Sequence, residues 1–431
     1  MQTSLRGIAN KAAINQKHRF GNLYELLNEE NLQWCWQFLR KEAAPGVDKV
    51  DYEEYRANLA SNIHDLVERL KGKRYRARLV RRHYIPKPNG KRRPLGIPTT
   101  EDKLLQVAVA KILEAIYEQD FLQCSYGYRP GRSPHDAVKK LTDELQYGKY
   151  CWIVEADIMG FFDNIDHEWM IRMLQERIAD RPFLRLIGKW LKAGILDTDG
   201  QVIHPATGTP QGGIVSPILA NIYPHYALDL WFEKKIKPVC QGMAMLIRFA
   251  DDFVCAFQAQ KDAEQFMEQL GTRLGKFGLE TAPDKTRLLR FCRFDLAGSG
   301  GFDFLGFEFR WGKGRNGGRF VKRRTSRKKL RASLANFTAW IKKGRHQRTG
   351  PLFATLNSKY RGYWNYYGVI GNSASLQRFF RETQRLLFKW LNRRSQRRSY
   401  TWAAFNALVN YCGVERPRIT ERVVPAQLAL L

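Results

Sequence analysis

The segment MAMLIRFADDFVCAF, residues 243–257, places two adjacent carboxylates between two apolar runs. The runs MLI (245–247) and FV (253–254) flank Asp251 and Asp252. Apolar runs of this length favour strands, so the segment predicts a β-hairpin with an acidic turn. Two carboxylates in a partly buried turn repel each other, and a bound cation relieves that cost. A solvated hairpin turn that carries Asp-Asp is the ordinary alternative.

A third carboxylate, Asp157, stands upstream at the end of another apolar run. The run WIV, residues 152–154, leads into Asp157 and predicts a buried strand. Phosphoryl transfer uses two cations about 3.5–4 Å apart that are held by carboxylates, and Mg²⁺ takes few protein ligands beside water and phosphate. We therefore predict that Asp157, Asp251 and Asp252 are catalytic acids that hold two Mg²⁺ ions, or Mn²⁺ in their place.

The charge balance indicates an anionic partner. The 431 residues include 72 Lys and Arg against 42 Asp and Glu, which gives a net charge of +30. The excess is uneven, because the only acidic residue between Arg310 and Val414 is Glu382. Nucleic acid is the partner that such an excess predicts, and a basic surface kept for solubility explains the uneven distribution less well.

Cysteine spacing and hydropathy indicate the cellular compartment of the protein. None of the 7 cysteines are paired at CxxC spacing, so a zinc site is not expected. Scattered single cysteines are typical of a reducing compartment. No apolar stretch reaches the length of a membrane span, and the N-terminal residues lack the apolar core of a secretory signal. We expect a cytoplasmic protein without a membrane partner; an organellar transit peptide stays open.

The chain predicts an α+β protein with several parts. Residues 1–80 follow a helical period, and two short strands follow around an Asn89-Gly90 turn. The middle of the chain combines strands with helices. After about Lys322 the pattern becomes helical and basic, and the stretch GKGRNGGRF at 312–320 is the predicted linker. Helical ends around a strand-rich middle favour the α+β class.

Several segments resemble the polymerase motifs of reverse transcriptases, in the order and spacing of that family. ADIMGFFDNIDH (156–167), TGTPQGGIVSPILANIY (207–223) and RFADDFVCAF (248–257) resemble motifs A, B and C, while YIPKPNGKRRPLGIPTTEDKLLQ (84–106), CSYGYRPGRSPHDAV (124–138), FGLETAPDKTRLLRF (277–291), FDFLGFEF (302–309) and KYRGYWNYYGV (359–369) resemble further segments of the group II intron-encoded reverse transcriptases and maturases. The resemblance extends from about residue 20 to about residue 415. PQGG together with ADD is specific, although neither is compelling alone.

The resemblance implies a right-hand polymerase fold and a set of metal ligands. Its division would be residues 1–150 for an N-terminal extension and fingers with interleaved palm segments, 151–312 for a palm with an antiparallel sheet, and 313–431 for a basic helical thumb or maturase region. Asp157 and Asp251 would be the main metal ligands and Asp252 a weaker one. The backbone carbonyl of Ile158 would be a further ligand.

The resemblance also implies nucleotide-binding residues. These are Lys87, Arg93, Phe162, Gln211 and Lys285. Lys87 and Arg93 match a triphosphate-binding pair; Arg92 competes for the place of Arg93, and an exposed basic turn is the alternative. The ring of Phe162 would exclude a ribose 2′-hydroxyl and so select dNTPs, unless it is a core residue. For Lys285, a solvated charge is the alternative.

The C-terminal third combines cations with aromatic rings. VKRRTSRKKLRASL, residues 321–334, is a like-charge run that repels itself unless an anion binds. In KYRGYWNYYGV, rings could stack on bases while cations neutralise phosphates. The predicted RNA-binding residues are Arg323, Arg324, Lys328, Lys329, Lys359, Arg361 and Tyr363. A helix whose rings fill a core is the alternative, and Trp364 is expected in that core.

The family implies an RNA-directed DNA polymerase of a group II intron that also binds its intron RNA as a maturase in splicing and mobility. Its expected partners are an RNA template, intron RNA, a DNA or RNA primer and dNTPs in a bacterial ribonucleoprotein; a homodimer stays open. One alternative is a host-adopted enzyme of DNA repair or phage defence, because Phe249 replaces the usual Tyr and no Cys-rich endonuclease segment precedes Leu431. The other is a non-catalytic RNA-binding maturase.

Overall fold

The computed structural model describes residues 1–86, 92–203, 206–209, 212–314, 316–397 and 399–421. The chain divides into two compact units. Unit 1 combines Met1–Ala137 with Trp152–Leu288, and unit 2 combines Val138–Cys151 with the chain from Leu289 onward. Helices and antiparallel sheets occur in the same chain, which confirms the mixed α and β class. The predicted boundaries at residues 150 and 312 stay a prediction.

The N-terminal part of unit 1 is helical, as its sequence period predicts. Its helices are α1 (Gln2–Ile14), α2 (Glu29–Trp36), α3 (Tyr52–Ala57), α4 (Leu59–Lys71) and α5 (Thr100–Tyr117). A capping box starts α3, since the Asp51 side chain accepts from the Glu54 N–H and the Glu54 side chain accepts from the Asp51 N–H. Helix α5 is apolar on several faces and is therefore buried along most of its length.

Two strands of unit 1 confirm the predicted hairpin before α5. Strand β1 (Val80–Pro86) pairs antiparallel with β2 (Arg92–Ile97), and Pro86, the last residue of β1, lies opposite Arg92, the first residue of β2. The short strands β4 (Ile195–Leu196) and β5 (Val202–Ile203) extend the sheet in the order β2–β1–β4–β5. The predicted Asn89-Gly90 turn lies outside the described residues.

A second sheet of unit 1 carries the acidic segments. Strands β6 (Ala244–Phe249), β7 (Asp252–Phe257) and β3 (Trp152–Asp157) are antiparallel neighbours in that order. The helices that follow in the chain are α6 (Pro134–Tyr147), which begins in unit 1 and ends in unit 2, and α7 (His167–Gln175), α8 (Arg181–Leu191), α9 (Ser216–Pro224) and α10 (Gln260–Gly275) of unit 1. Apolar residues of the sheet and of α7 to α10 share one core, which fixes the strand ends.

In the C-terminal part of unit 2, three strands follow β8 (Arg287–Arg290) along the chain. These strands are β9 (Phe302–Phe304), β10 (Phe307–Lys313) and β11 (Arg319–Thr325), antiparallel in the order β11–β10–β9. The predicted linker at 312–320 is wrong, because Gly312 pairs with Phe320 and Lys313 pairs with Arg319 in one hairpin. Glycine-rich segments form tight turns as readily as linkers, so composition alone does not separate the two.

The rest of unit 2 confirms the predicted helical and basic C-terminal part. Its helices are α11 (Arg327–Gly344), α12 (Thr349–Tyr367), α13 (Ser373–Leu391) and α14 (Trp402–Tyr411). Trp364 is fully buried, as expected, and Tyr360 stacks on it with ring centroids 5.3 Å apart. Phe337 of α11 and Phe380 of α13 contact Tyr360, so aromatic rings join the three helices.

One feature of unit 2 departs from the sequence expectation. Cys151 and Cys292, 141 residues apart in sequence, are joined by a disulfide. The expectation of unpaired cysteines was wrong for this pair, because strand pairing brings the two together: the Phe291 N–H donates to the Cys151 carbonyl at 2.7 Å. In the described part of the chain, no helix is both long enough and apolar enough to cross a bilayer.

Candidate active site

The acidic turn and the upstream aspartate meet at one end of the sheet in unit 1. Asp157 ends β3, and Asp252 begins the neighbouring strand β7 directly opposite it. Asp251 lies in the hairpin turn, where its carbonyl accepts from the Ile158 N–H at 3.4 Å. Ala250 adopts a left-handed φ of 58° to make this turn. The structure therefore brings all three predicted carboxylates to a single place.

The electrostatics of these acids follow from their crowding. Asp251 is largely buried, and burial raises the pKa of its carboxyl group. The charge of Asp157 raises that pKa further, whereas Arg93 and Lys285 act in the opposite direction. A cation between the carboxylates would relieve this repulsion, which is the physical condition for a metal site.

A protein cation already contacts one of the acids. Lys285, at the end of the turn Pro283–Lys285, forms an ion pair with the carboxylate of Asp157. The backbone supports this approach, because the Ala282 N–H donates to the Asp157 carbonyl at 2.8 Å. Among the residues that the structure describes, no group of three or more His, Cys, Asp or Glu side chains is arranged to hold a metal ion. The oxygen donors and their repulsion nevertheless fit a hard divalent cation.

The predicted nucleotide contacts are brought only partly together. Arg93 of β2 is exposed, and its charge lowers the pKa of Asp251, so it lies within electrostatic reach of that carboxyl group. Arg92 is also exposed, as the first residue of the same strand. Lys87 and Gln211 lie outside the described residues, and their roles stay predictions.

Phe162 follows Asp157 by five residues, and its backbone packs against the turn at Gly208. Its ring is half-buried and meets the buried Phe161 edge to face, with centroids 5.5 Å apart. Its carbonyl accepts from the Thr209 N–H at 2.8 Å. Gly208, at φ 92°, packs so closely that an added Cβ would lie 2.9 Å from the Phe162 carbonyl oxygen. The backbone of Phe162 and the turn at Gly208 are therefore closely packed against each other.

A buried arginine beneath the acidic turn is a positioning residue that sequence reasoning missed. Arg248 of β6 is fully buried and donates twice to Asp229, at 2.7 and 2.6 Å. It also donates to the Ala250 carbonyl at 3.1 Å, to Asn221 at 3.2 Å and to the Ser125 hydroxyl at 2.8 Å. An arginine inside an otherwise apolar strand was the available signal, since such a charge needs a buried partner.

The structure pairs two of the predicted RNA-binding residues of unit 2 with acidic residues. Arg323 is buried and forms a bidentate ion pair with Glu421, at 2.8 and 2.9 Å. Arg324 forms a bidentate pair with Glu308, at 2.9 and 3.0 Å. These two charges are already neutralised, so they are poor phosphate contacts. The sequence run looked free of acids because both partners lie outside it.

The remaining predicted RNA contacts divide into exposed cations and a packing residue. Lys328, Lys329 and Lys359 are exposed. Arg361 is exposed as well, although it pairs with Glu415 at 3.2 Å. Tyr363 stacks on Phe379 with ring centroids 3.8 Å apart, so one face of its ring is covered. Tyr363 thus uses one face of its ring for packing, and its predicted contact with RNA stays a prediction.

Comparison with known proteins identifies the family. The model of the reverse transcriptase (RNA-dependent DNA polymerase) family matches residues 85–309. This range contains Lys285 and the three aspartates of the site, Asp157, Asp251 and Asp252. Protein YkfC of Escherichia coli K12 is 30% identical over 376 residues, which cover 79% of this chain and 96% of YkfC. The group II intron-encoded protein LtrA of Lactococcus lactis is 48% identical over 176 residues, which cover 41% of this chain and 29% of LtrA.

A further relative carries an intron-derived name. Nuclear intron maturase 1, a mitochondrial protein of Arabidopsis thaliana, is 32% identical over 95 residues, or 22% of this chain and 13% of that protein. The chain thus spans nearly all of YkfC but less than a third of the two intron-related proteins. By its acidic site, its family match and these relatives, the chain belongs to the reverse transcriptase family, within the group II intron-encoded reverse transcriptases and maturases.

Proposed function

We propose that this protein is an RNA-directed DNA polymerase of a group II intron and that it also binds intron RNA as a maturase. The observation that carries the proposal is the meeting of Asp157, Asp251 and Asp252 at one end of a sheet within the residues that match the family. A protein that only binds RNA gains nothing from three crowded carboxylates. In this view unit 1 contains fingers and palm, and unit 2 contains the thumb.

The reaction would be attack of a primer 3′-hydroxyl on the α-phosphate of a dNTP, with release of pyrophosphate. Asp157 and Asp251, with Asp252 and the Ile158 carbonyl, would hold two Mg²⁺ ions, or Mn²⁺. When bound, these ions supply activation of the attacking hydroxyl and charge stabilisation at the phosphate. Lys285 would exchange its contact with Asp157 for one with the triphosphate, because both are anionic oxygens.

The other nucleotide contacts would orient the substrate. Lys87 and Arg93 would bind phosphates from the β1–β2 hairpin, a role that suits their charge and the field of Arg93 at the acids. Gln211 would contact the incoming nucleotide from the glycine-rich turn. The neighbouring Gly212 has a φ of 116°, and an added Cβ would lie 2.6 Å from the Gly96 carbonyl oxygen, so the chain there packs closely on β2.

The proposal is tested by incubating the purified protein with an RNA template, an annealed DNA primer, dNTPs and Mg²⁺. We expect primer extension. A protein that binds the RNA but extends no primer would instead be a maturase without polymerase activity. Sequencing the DNA around the gene tests the biological setting: flanking intron RNA domains support the intron protein, and their absence supports the host-adopted enzyme, which Phe249 keeps open.

Sugar selection gives a second test of the site. Replacing Phe162 by Ala should lower discrimination against rNTPs by about tenfold or more, because a removed steric contact in a pocket is worth roughly 1–3 kcal/mol. The ring is half-buried and packs on Phe161, so part of it would remain available to a bound sugar. The measurement is the ratio of kcat/KM for dNTP and rNTP on one template.

A matched phenylalanine provides the control for this test. Phe38 is 44% exposed in the same unit, so Phe38→Ala should leave the discrimination ratio unchanged. If Phe162→Ala also leaves the ratio unchanged while the protein stays folded, Phe162 is a packing residue and the sugar is selected elsewhere.

A further inference from the structure

Unit 2 contains an open basic cavity that the predicted RNA contacts did not include as a site. It lies at the end of β11 and beside the first turns of α11 and α13, and its volume is about 450 Å³. We call it the β11–α13 groove. Five cations line it: Lys322, Arg324, Arg327, Arg331 and Arg378. Among the residues that the structure describes, no acidic one lines it.

Acidic partners compensate only some of the cations of the groove. Glu308 pairs with Arg324 and with Arg310, which lies 3.0 Å from it, and the charge of Asp303 also acts on Arg324. Lys322, Arg331 and Arg378 are exposed, and they make no ion pair with any residue that the structure describes. Like charges that converge on one cavity repel each other, and this repulsion favours binding of an anion.

The helix ends add to the positive potential. Arg327 and Arg331 lie at the start of α11, and Arg378 lies in the second turn of α13. Neither helix has an acidic residue in its first turn. Cations at a helix N-terminus oppose the helix dipole and reduce helix stability, whereas an anion there is favoured by both the dipole and the free N–H groups.

The capping of helix α13 also favours an anion in the groove. Asn372 precedes α13, and Asn commonly caps a helix start. Here its side chain is used elsewhere: it accepts from the Thr325 N–H at 2.9 Å and donates to the Thr325 hydroxyl at 2.9 Å. The start of α13 therefore has no side-chain cap. Two small residues, Gly371 and Ala374, line the groove there.

We propose that the β11–α13 groove binds the phosphate backbone of RNA through Lys322, Arg331 and Arg378. The proposal rests on the proposed function for the choice of RNA, while the phosphate chemistry follows from the groove itself. Arginine forks match phosphate oxygens, and among the described residues no aromatic side chain lines the groove to stack on a base. In this proposal the three groove residues take the place of Arg323 and Arg324 as the main RNA contacts of this region. Arg323 and Arg324 are held in ion pairs.

The test measures the salt dependence of RNA binding by the full chain. The variant combines Lys322→Gln, Arg331→Gln and Arg378→Gln, and the probe is a labelled 20-nucleotide single-stranded RNA. Each lost phosphate contact on a single strand should flatten the log–log slope by about 0.7, so the triple variant should flatten it by about two units. Single-stranded DNA of the same sequence, tested in parallel, shows whether the groove also distinguishes the sugar.

A matched triple variant removes the same charge from elsewhere on the same helices. It combines Lys343→Gln, Arg385→Gln and Lys389→Gln, all exposed and none in the groove. A larger change of slope in the groove variant supports the proposal. Equal changes in both variants, or no change in either, overturn it. Arg331→Lys with Arg378→Lys keeps the charge and should keep the slope, which excludes an effect of misfolding.

Extension assays on a saturating primer–template separate this inference from the proposed function. If wild type extends primers and the groove variant binds RNA normally, the groove inference fails and the polymerase stands. If wild type does not extend primers but the groove variant loses RNA affinity, the polymerase proposal fails and the groove inference stands.

Discussion

Replacing Asp251 by Asn is expected to lower primer extension on an RNA template by about a thousandfold or more. Asn keeps the shape of the side chain but removes the charge that holds a cation. Metal coordination is worth several kcal/mol at the transition state, and each 1.36 kcal/mol corresponds to about a tenfold change in rate. The measurement is single-nucleotide addition to a DNA primer at saturating dNTP and Mg²⁺.

The same variant should fold at least as well as wild type. Burial and the charge of Asp157 raise the pKa of Asp251, so its ionised form opposes folding at neutral pH. Removing the charge should leave the melting temperature equal or higher. Asp65→Asn, at an exposed site on α4, is the control and should keep full activity. Wild-type extension by Asp251→Asn would disprove the assignment of this carboxylate to catalysis.

Replacing Arg248 by Met is expected to cost about 3–5 kcal/mol of unfolding free energy, because it leaves Asp229 buried without its partner. Neither side chain of the pair has any exposed surface. The carbonyl of Ala250 also loses its hydrogen-bond donor, so the backbone of the acidic turn loses a contact that holds it in place. Denaturant titration measures the stability, and primer extension measures the effect on the turn.

A double variant separates the buried charge from the support of the turn. Arg248→Met with Asp229→Leu removes both charges and should recover much of the lost stability. Extension should stay reduced in it, since the Ala250 contact is still missing. Arg172→Met, an exposed ion-pair residue on α7, should change neither property. If the double variant regains full extension, Arg248 acts only on stability and does not position the acids.

Local patterns were sufficient for the strands that carry the acids. The apolar runs beside Asp157 and Asp251 predicted strands that the structure contains as β3, β6 and β7. Alternation and apolar run length act over a few residues, which is why they can be recognised without contacts. The same applies to the β1–β2 hairpin and to the helices at both ends of the chain.

Contacts between distant segments could not be predicted in this way. Arg323 looked available for RNA because its partner, Glu421, lies 98 residues further along the chain. Cys151 and Cys292 looked unpaired for the same reason. The segment 312–320 looked like a linker, because glycine-rich composition does not reveal which strands it connects.

The sequence by itself determined which residues could do the chemistry, because carboxylates at strand ends and the order of the motifs are properties of the chain. Only the tertiary structure decided which charges are available. It holds Lys285 against Asp157 and Arg248 against Asp229, whereas Lys322 and Arg378 stay exposed at the β11–α13 groove. The physical reason is that a charge is neutralised by its neighbours in space, and those neighbours are set by packing between segments that lie far apart in sequence.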